Sequence, residues 1–249
     1  MKLSPRERLS RGVFVLPTLF TVGNLFCGYL SIWASIRGTF ESAAALVIVA
    51  AVLDALDGRV ARLTNSTSAF GEEYDSLADL VSFGVAPAVL AYSWGLADFH
   101  RLGWMASFLF VVCGSMRLAR FNIQTKVVDK RYFVGLPIPA GAATIVTLVL
   151  ATPDGLVSRV WMTGLLVLTI VVSYLMISTI RYRSFKDLDL RRRRPAWILP
   201  LIAAVFVVVG FEPKISLLVL ALTFAASGPA AKLFGLLRRK PKEPSPDAA

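Results

Sequence analysis

Charge is what this sequence has least of: Asp, Glu, Lys and Arg make up 17% of its 249 residues, against about 25% in an average chain. The charge present falls in short segments between long apolar runs, while 56% of residues are hydrophobic and mean hydropathy is +0.66. That layout excludes a soluble domain around a single core and places the chain among membrane proteins. Cysteine is nearly absent. Cys27 and Cys113 both lie inside apolar segments, which fits neither a disulfide framework nor metal-ligand spacing. No internal repeat is visible, and no stretch interleaves basic residues with exposed aromatics. The net charge of +11 therefore does not read as nucleic-acid binding; the basic clusters sit beside apolar runs, where they face lipid headgroups or anionic substrates.

Taking about 20 apolar residues per crossing, the sequence predicts eight spans, near 14 to 36, 42 to 62, 76 to 97, 103 to 123, 136 to 152, 160 to 180, 196 to 211 and 215 to 236. Six crossings with two irregular segments is the main alternative. The first run is too long for a signal-peptide core and reads as a retained anchor. Of 27 Lys and Arg residues, only Arg37, Arg101, Arg159 and Lys214 fall on one side. The excess on the other side predicts cytoplasmic termini in the cell membrane. Residues 1–237 then form a single membrane-embedded domain with a short basic arm, and 238–249 a disordered tail rich in Pro and charge. The run Arg191 to Arg194 reads as an anchor at the lipid surface, and Trp94, Trp104, Trp161 and Trp197 as interfacial aromatics. The lone histidine, His100, lies on the poorly charged side and reads as an ordinary interfacial residue.

One segment breaks the apolar pattern. Asp54 and Asp57 close the second span, and Asp75 and Asp79 open the third, each pair spaced to share a helix face. Adjacent antiparallel helices would aim all four carboxylates at one spot. Such a cluster at membrane depth persists only if a cation fills it or the groups protonate. Mg²⁺ or Mn²⁺ with oxygen ligands is the economical occupant, and two ions about 3.5–4 Å apart would fit. Between the pairs, Gly58 permits close backbone approach, Ala61 is small on the same helix, and Arg62 is a forked donor suited to phosphate. Thr21 and Asn24, on one face of the first span, need polar partners inside a bilayer, either the nucleotide end of a substrate or another helix.

The spacing Asp54-x2-Asp57-Gly58-x2-Ala61-Arg62-x8-Gly71-x3-Asp75-x3-Asp79 resembles the signature of the CDP-alcohol phosphatidyltransferases, integral membrane enzymes of phospholipid synthesis. Leu16 to Gly28 (LPTLFTVGNLFCG), Arg117 to Asn122 (RLARFN) and Phe133 to Ala142 (FVGLPIPAGA) are similar to the branch that transfers phosphatidyl groups to serine, apart from Ile138 and Gly141, where GLPSPAAA is closer to its pattern. The resemblance implies an all-α bundle, usually dimeric, in which an acceptor hydroxyl displaces CMP from a CDP-alcohol at a di-metal centre. It implies metal binding by Asp54, Asp57, Asp75 and Asp79, with Asp79 also the general base. Gly58, Ala61 and Arg62 would line the CDP-diacylglycerol site, with Ser68, Thr21 and Asn24 as further contacts. L-serine, a zwitterion, calls for a cation toward its carboxylate, for which Arg117, Arg120, Asn122 and Lys126 are the candidates. Snorkelling of these side chains to headgroups is the bland alternative. Glycerol 3-phosphate, inositol phosphate or choline as acceptor would use the same chemistry. A transporter is the rival from another class, but its carboxylates belong near the midplane, often in repeated halves.

Overall fold

The computed structural model describes residues 5–64, 68–124, 132–153, 158–183 and 210–237. It is an all-α polytopic membrane protein. Helix α1 (Pro5–Ile36) and helix α2 (Phe40–Leu63) form an antiparallel hairpin. Gly38 lies in the left-handed region at φ +77° and closes it, with the Thr39 amide donating to Ala34 O at 3.0 Å. Ala43, Ala44, Val47 and Ala50 bury one face of α2, and these small side chains let the two backbones approach closely.

Helix α3 (Ala69–Phe99) is continuous over 31 residues but not uniform. Ser68 caps it, accepting the Gly71 amide at 3.0 Å. Its α-helical start ends at Asp79, and a π-turn follows over Leu80–Val85, where the Ala86 amide reaches back to Val81 O. Pro87 lacks the amide that would continue the regular ladder, which accounts for the bulge lying just before it. A second π-turn, Tyr92–Leu96, precedes the turn at His100, whose φ is +49°.

Helix α4 (Arg101–Gln124) packs on α3 and on α6 (Arg159–Ile177). Helix α5 (Ile138–Ala151) is buried along most of its length and packs against α2 and α7 (Pro213–Leu237). Leu19, Phe26, Tyr29, Phe108, Val167 and Leu220 stand exposed on the outer faces, as lipid-facing residues do. Among the described residues, five helices are long and apolar enough to cross a membrane: the apolar part of α1 (Thr18–Ile36), α3, α4 (Arg101–Ile123), α6 and α7 (Pro213–Leu233). α5 is shorter, and α2 carries the charged motif. The observed helices match seven of the eight expected spans; most of the eighth, 196 to 211, lies outside the described residues, as do Arg191 to Arg194 and the tail 238–249.

Two three-residue strands, β1 (Tyr132–Val134) and β2 (Arg181–Arg183), pair antiparallel with Phe133 opposite Tyr182. Gly135, at φ +81°, follows β1 and donates to Ile180 O at 2.8 Å. Tyr182 then plugs α7. Pro229 leaves Ala225 O without its usual amide donor, and the Tyr182 hydroxyl supplies the missing bond at 3.0 Å. Gly228 makes room for the ring, since a Cβ there would lie 2.5 Å from Tyr182 Cζ.

Candidate active site

The four aspartates converge, but not equally. Carboxylate oxygens of Asp54, Asp57 and Asp75 lie within 4.8 Å of one another, and Asp79 is not part of that group. Asp57 is buried at 5% exposure, and Asp75 Oδ1 is buried without a hydrogen-bond partner. No lysine or arginine forms an ion pair with these carboxylates among the described residues. Three clustered carboxylates without a counter-charge, one with an orphaned buried oxygen, fit a hard divalent cation such as Mg²⁺ or Mn²⁺ by both donor chemistry and charge.

Helix α1 braces the cluster. Thr21 Oγ1 donates to Asp57 Oδ2 at 2.9 Å, and Asn24 Nδ2 donates to Asp79 Oδ1 at 3.2 Å. These residues, expected from sequence to meet either the nucleotide or another helix, make interhelical hydrogen bonds to two different aspartates. Asn24 is completely buried and its Oδ1 has no partner. The Ser82 hydroxyl, inside the π-turn, donates to Asn24 O at 2.9 Å.

The remaining expected residues divide by position. Gly58 and Ala61 are half-buried on α2, and Arg62 is exposed one turn on, its guanidinium lying back near Gly58. Ser68 is the α3 cap: its hydroxyl oxygen accepts the Gly71 amide, which leaves the O–H free to donate. On α4, Arg117 is buried at 8% exposure with its guanidinium 5.0 Å above the Phe121 ring, and it interacts electrostatically with Asp79 without pairing to it. Arg120 donates to Ile177 O at 3.0 Å, tying α4 to the end of α6. Asn122 donates to Ser76 Oγ at 2.9 Å, fixing α4 against α3 one turn before Asp79. Lys126 lies outside the described residues.

Sequence reasoning missed Ser82 and the use made of Gly28. A Cβ at Gly28 would come within 2.8 Å of Ser82 Cα, so glycine is what lets α1 and α3 touch here. A serine inside an apolar run, and a glycine one turn after Asn24, were the available signals.

The CDP-alcohol phosphatidyltransferase family model matches residues 14–175. The chain is 41% identical over 200 residues to a CDP-diacylglycerol–serine O-phosphatidyltransferase of Helicobacter pylori, covering 78% of this chain and 83% of that one. With the enzyme of the same name from Mycobacterium leprae it shares 35% identity over 239 residues, covering 93% and 79%. An archaetidylserine synthase of Methanothermobacter thermautotrophicus is 42% identical over 169 residues, covering 67% and 69%. The matched region takes in every helix that contributes to the carboxylate site, and on that ground the chain belongs to the CDP-alcohol phosphatidyltransferase family.

Proposed function

We propose that this protein transfers the phosphatidyl group of CDP-diacylglycerol to the hydroxyl of L-serine, releasing CMP. The observation that carries the reading is the cluster of carboxylates from Asp54, Asp57 and Asp75, with Asp79 of the same motif held by Asn24. Asp54, Asp57 and Asp75 would hold one or two Mg²⁺ or Mn²⁺ ions. Bound there, the ions neutralise charge on the pyrophosphate as it develops. The serine oxygen forms a bond to the diacylglycerol-bearing phosphorus, the bond from that phosphorus to the CMP oxygen breaks, and the hydroxyl proton passes to Asp79. Direct transfer suits the site better than a covalent intermediate, since it offers an acid/base carboxylate and no activated nucleophile.

Gly58 and Ala61 keep α2 slim where the nucleotide lies, and Arg62 reaches phosphate oxygens as a planar fork. For the acceptor carboxylate, Arg117 is a better candidate than Arg120, because it faces Asp79 while Arg120 is committed to α6. The names of the relatives favour serine over other acceptors. We place the site and both termini on the cytoplasmic side of the cell membrane, with residues 1–237 acting as one catalytic domain and the chain a homodimer.

The test is CMP release by the purified protein from CDP-diacylglycerol with L-serine, glycerol 3-phosphate, inositol phosphate or no acceptor, each with and without EDTA. Release that needs both serine and a divalent ion, with phosphatidylserine as product, is expected. Release with a different acceptor would overturn the choice of serine while keeping the chemistry; none with any acceptor would remove the reading.

A further inference from the structure

Among the described residues four threonines are buried: Thr21, Thr144, Thr147 and Thr169. Thr144, Thr147 and Thr169 each donate to a carbonyl oxygen three or four residues back on their own helix, at 2.7 to 2.8 Å. Inside a membrane that is the ordinary way for a hydroxyl to be satisfied. Thr21 serves another helix. Its hydroxyl donates to Asp57 Oδ2 on α2 at 2.9 Å, with both side chains buried. The α1–α2 hairpin is already closed by Gly38 and by the small-residue face of Ala43, Ala44 and Ala50, so this bond is not needed as a staple.

Asp57 is the member of the Asp54–Asp57–Asp75 group that Thr21 touches. A hydroxyl donated to Oδ2 fixes the rotation of the carboxylate and takes up one lone pair of that oxygen. The two oxygens are then no longer equivalent toward an ion beside them. Ca²⁺ accepts both oxygens of one carboxylate in a large, flexible shell. Mg²⁺ demands a small, near-octahedral shell, which one oxygen from each carboxylate suits, and Mn²⁺ shares that octahedral preference. We propose that Thr21 is a positioning residue for Asp57 that selects the ion: by engaging Oδ2 it presents Asp57 to the group through one oxygen, and so favours Mg²⁺ or Mn²⁺ over Ca²⁺. This rests on the metal-dependent phosphatidyl-transfer reading above. It assigns the Thr21 hydroxyl to the ion's selectivity and not to the nucleotide.

The test compares two variants of the full chain in detergent, without substrate. Thr21→Val keeps the branched shape and removes the hydroxyl, whereas Thr21→Ser keeps the hydroxyl. Mn²⁺ binding is read from the paramagnetic resonance of the free ion, and Ca²⁺ binding from its displacement of Mn²⁺. Thr21→Val should bind Mn²⁺ about 10- to 100-fold more weakly while its Ca²⁺ affinity stays within about threefold of wild type. Thr21→Ser should keep the wild-type preference. Should Thr21→Val fail to fold, Thr21→Ala carries the same expectation. Unchanged Mn²⁺ affinity without the hydroxyl, an equal loss for both ions, or a Thr21→Ser variant that loses the preference would each overturn the proposal. Wild-type protein that bound no Mn²⁺ would overturn it together with the metal-dependent reading. If the ion preference followed Thr21 as expected but wild type released no CMP with serine, the functional reading alone would fall.

Discussion

Two regions of this molecule bury polar groups among apolar helices, and they treat them in opposite ways. At the ribbon, Pro229 strands the carbonyl of Ala225, and Tyr182 arrives from another element to satisfy it, while Gly228 vacates the space the ring needs. Burial pushes the Tyr182 hydroxyl up to about 12, so it remains a neutral donor at any physiological pH. At the carboxylate site, Asp75 Oδ1 and Asn24 Oδ1 are buried and left without partners, and three acids crowd together with no ion pair to a basic side chain among the described residues. A closed polar network is structure, whereas an open one is a place kept for something else.

The sharpest way to break this contrast is Asp75→Asn. Removing one ligand of the proposed metal group should cut CMP release by at least about a thousandfold, a loss of order 4 kcal/mol in transition-state stabilisation. The metal-free variant should melt no lower than wild type, because like-charge repulsion is relieved. Differential scanning fluorimetry in detergent beside the activity assay checks both halves. A large drop in melting temperature would make Asp75 a structural residue. Next in size is metal addition itself. Saturating Mg²⁺ or Mn²⁺ at about 100 times Kd should stabilise wild type by about 2.7 kcal/mol and Asp75→Asn far less. No metal-dependent shift in wild type would mean that the open site is not waiting for an ion.

The closed region should respond the other way. Tyr182→Phe leaves Ala225 O buried and unsatisfied, so stability should fall by about 1–3 kcal/mol, measured by thermal or denaturant unfolding in detergent, while KM for CDP-diacylglycerol changes little. Smallest of all is Ser76→Ala, which removes the hydroxyl that links Asn122 to α3. About 1 kcal/mol of stability and a few-fold in activity are expected, since α4 keeps its other contacts to α3.

Much of this arrangement was legible in the sequence wherever a signal ran over many residues. Helices α2, α4 and α6 begin and end close to where hydropathy places them, α1 ends where expected but starts nine residues early, and the aspartate pairs fall on the expected facing helices. Helix α3 starts seven residues before the expected span at 76, because Ala69 to Asp75 is a capped polar turn that an apolar window discards. Ser68 advertises that start as a cap, its hydroxyl oxygen accepting the Gly71 amide. The ribbon left no trace, since strands of three residues are too short for alternation to register. The spacing by itself makes the four aspartates equivalent, and the contacts from α1 tell them apart: Thr21 reaches Asp57 and Asn24 reaches Asp79. Ile138 and Gly141, the two positions that depart from the expected stretch, turn out to interlock. Ile138 is fully buried against Gly84 and Gly114, and Gly141 leaves room for Met176.

The π-turn after Asp79 inserts a phase change into α3. A regular helix is a rigid screw, so the face it shows at one end dictates the face at the other. One added residue advances that screw by about a quarter-turn, which frees the aspartate end to point at α1 and α2 while the Pro87 end keeps its small residues turned into the bundle. The two halves can therefore drift separately: substitutions that repack the Ala86–Ala91 segment need not re-aim Asp75 and Asp79, and the chemistry is insulated from the packing that carries it.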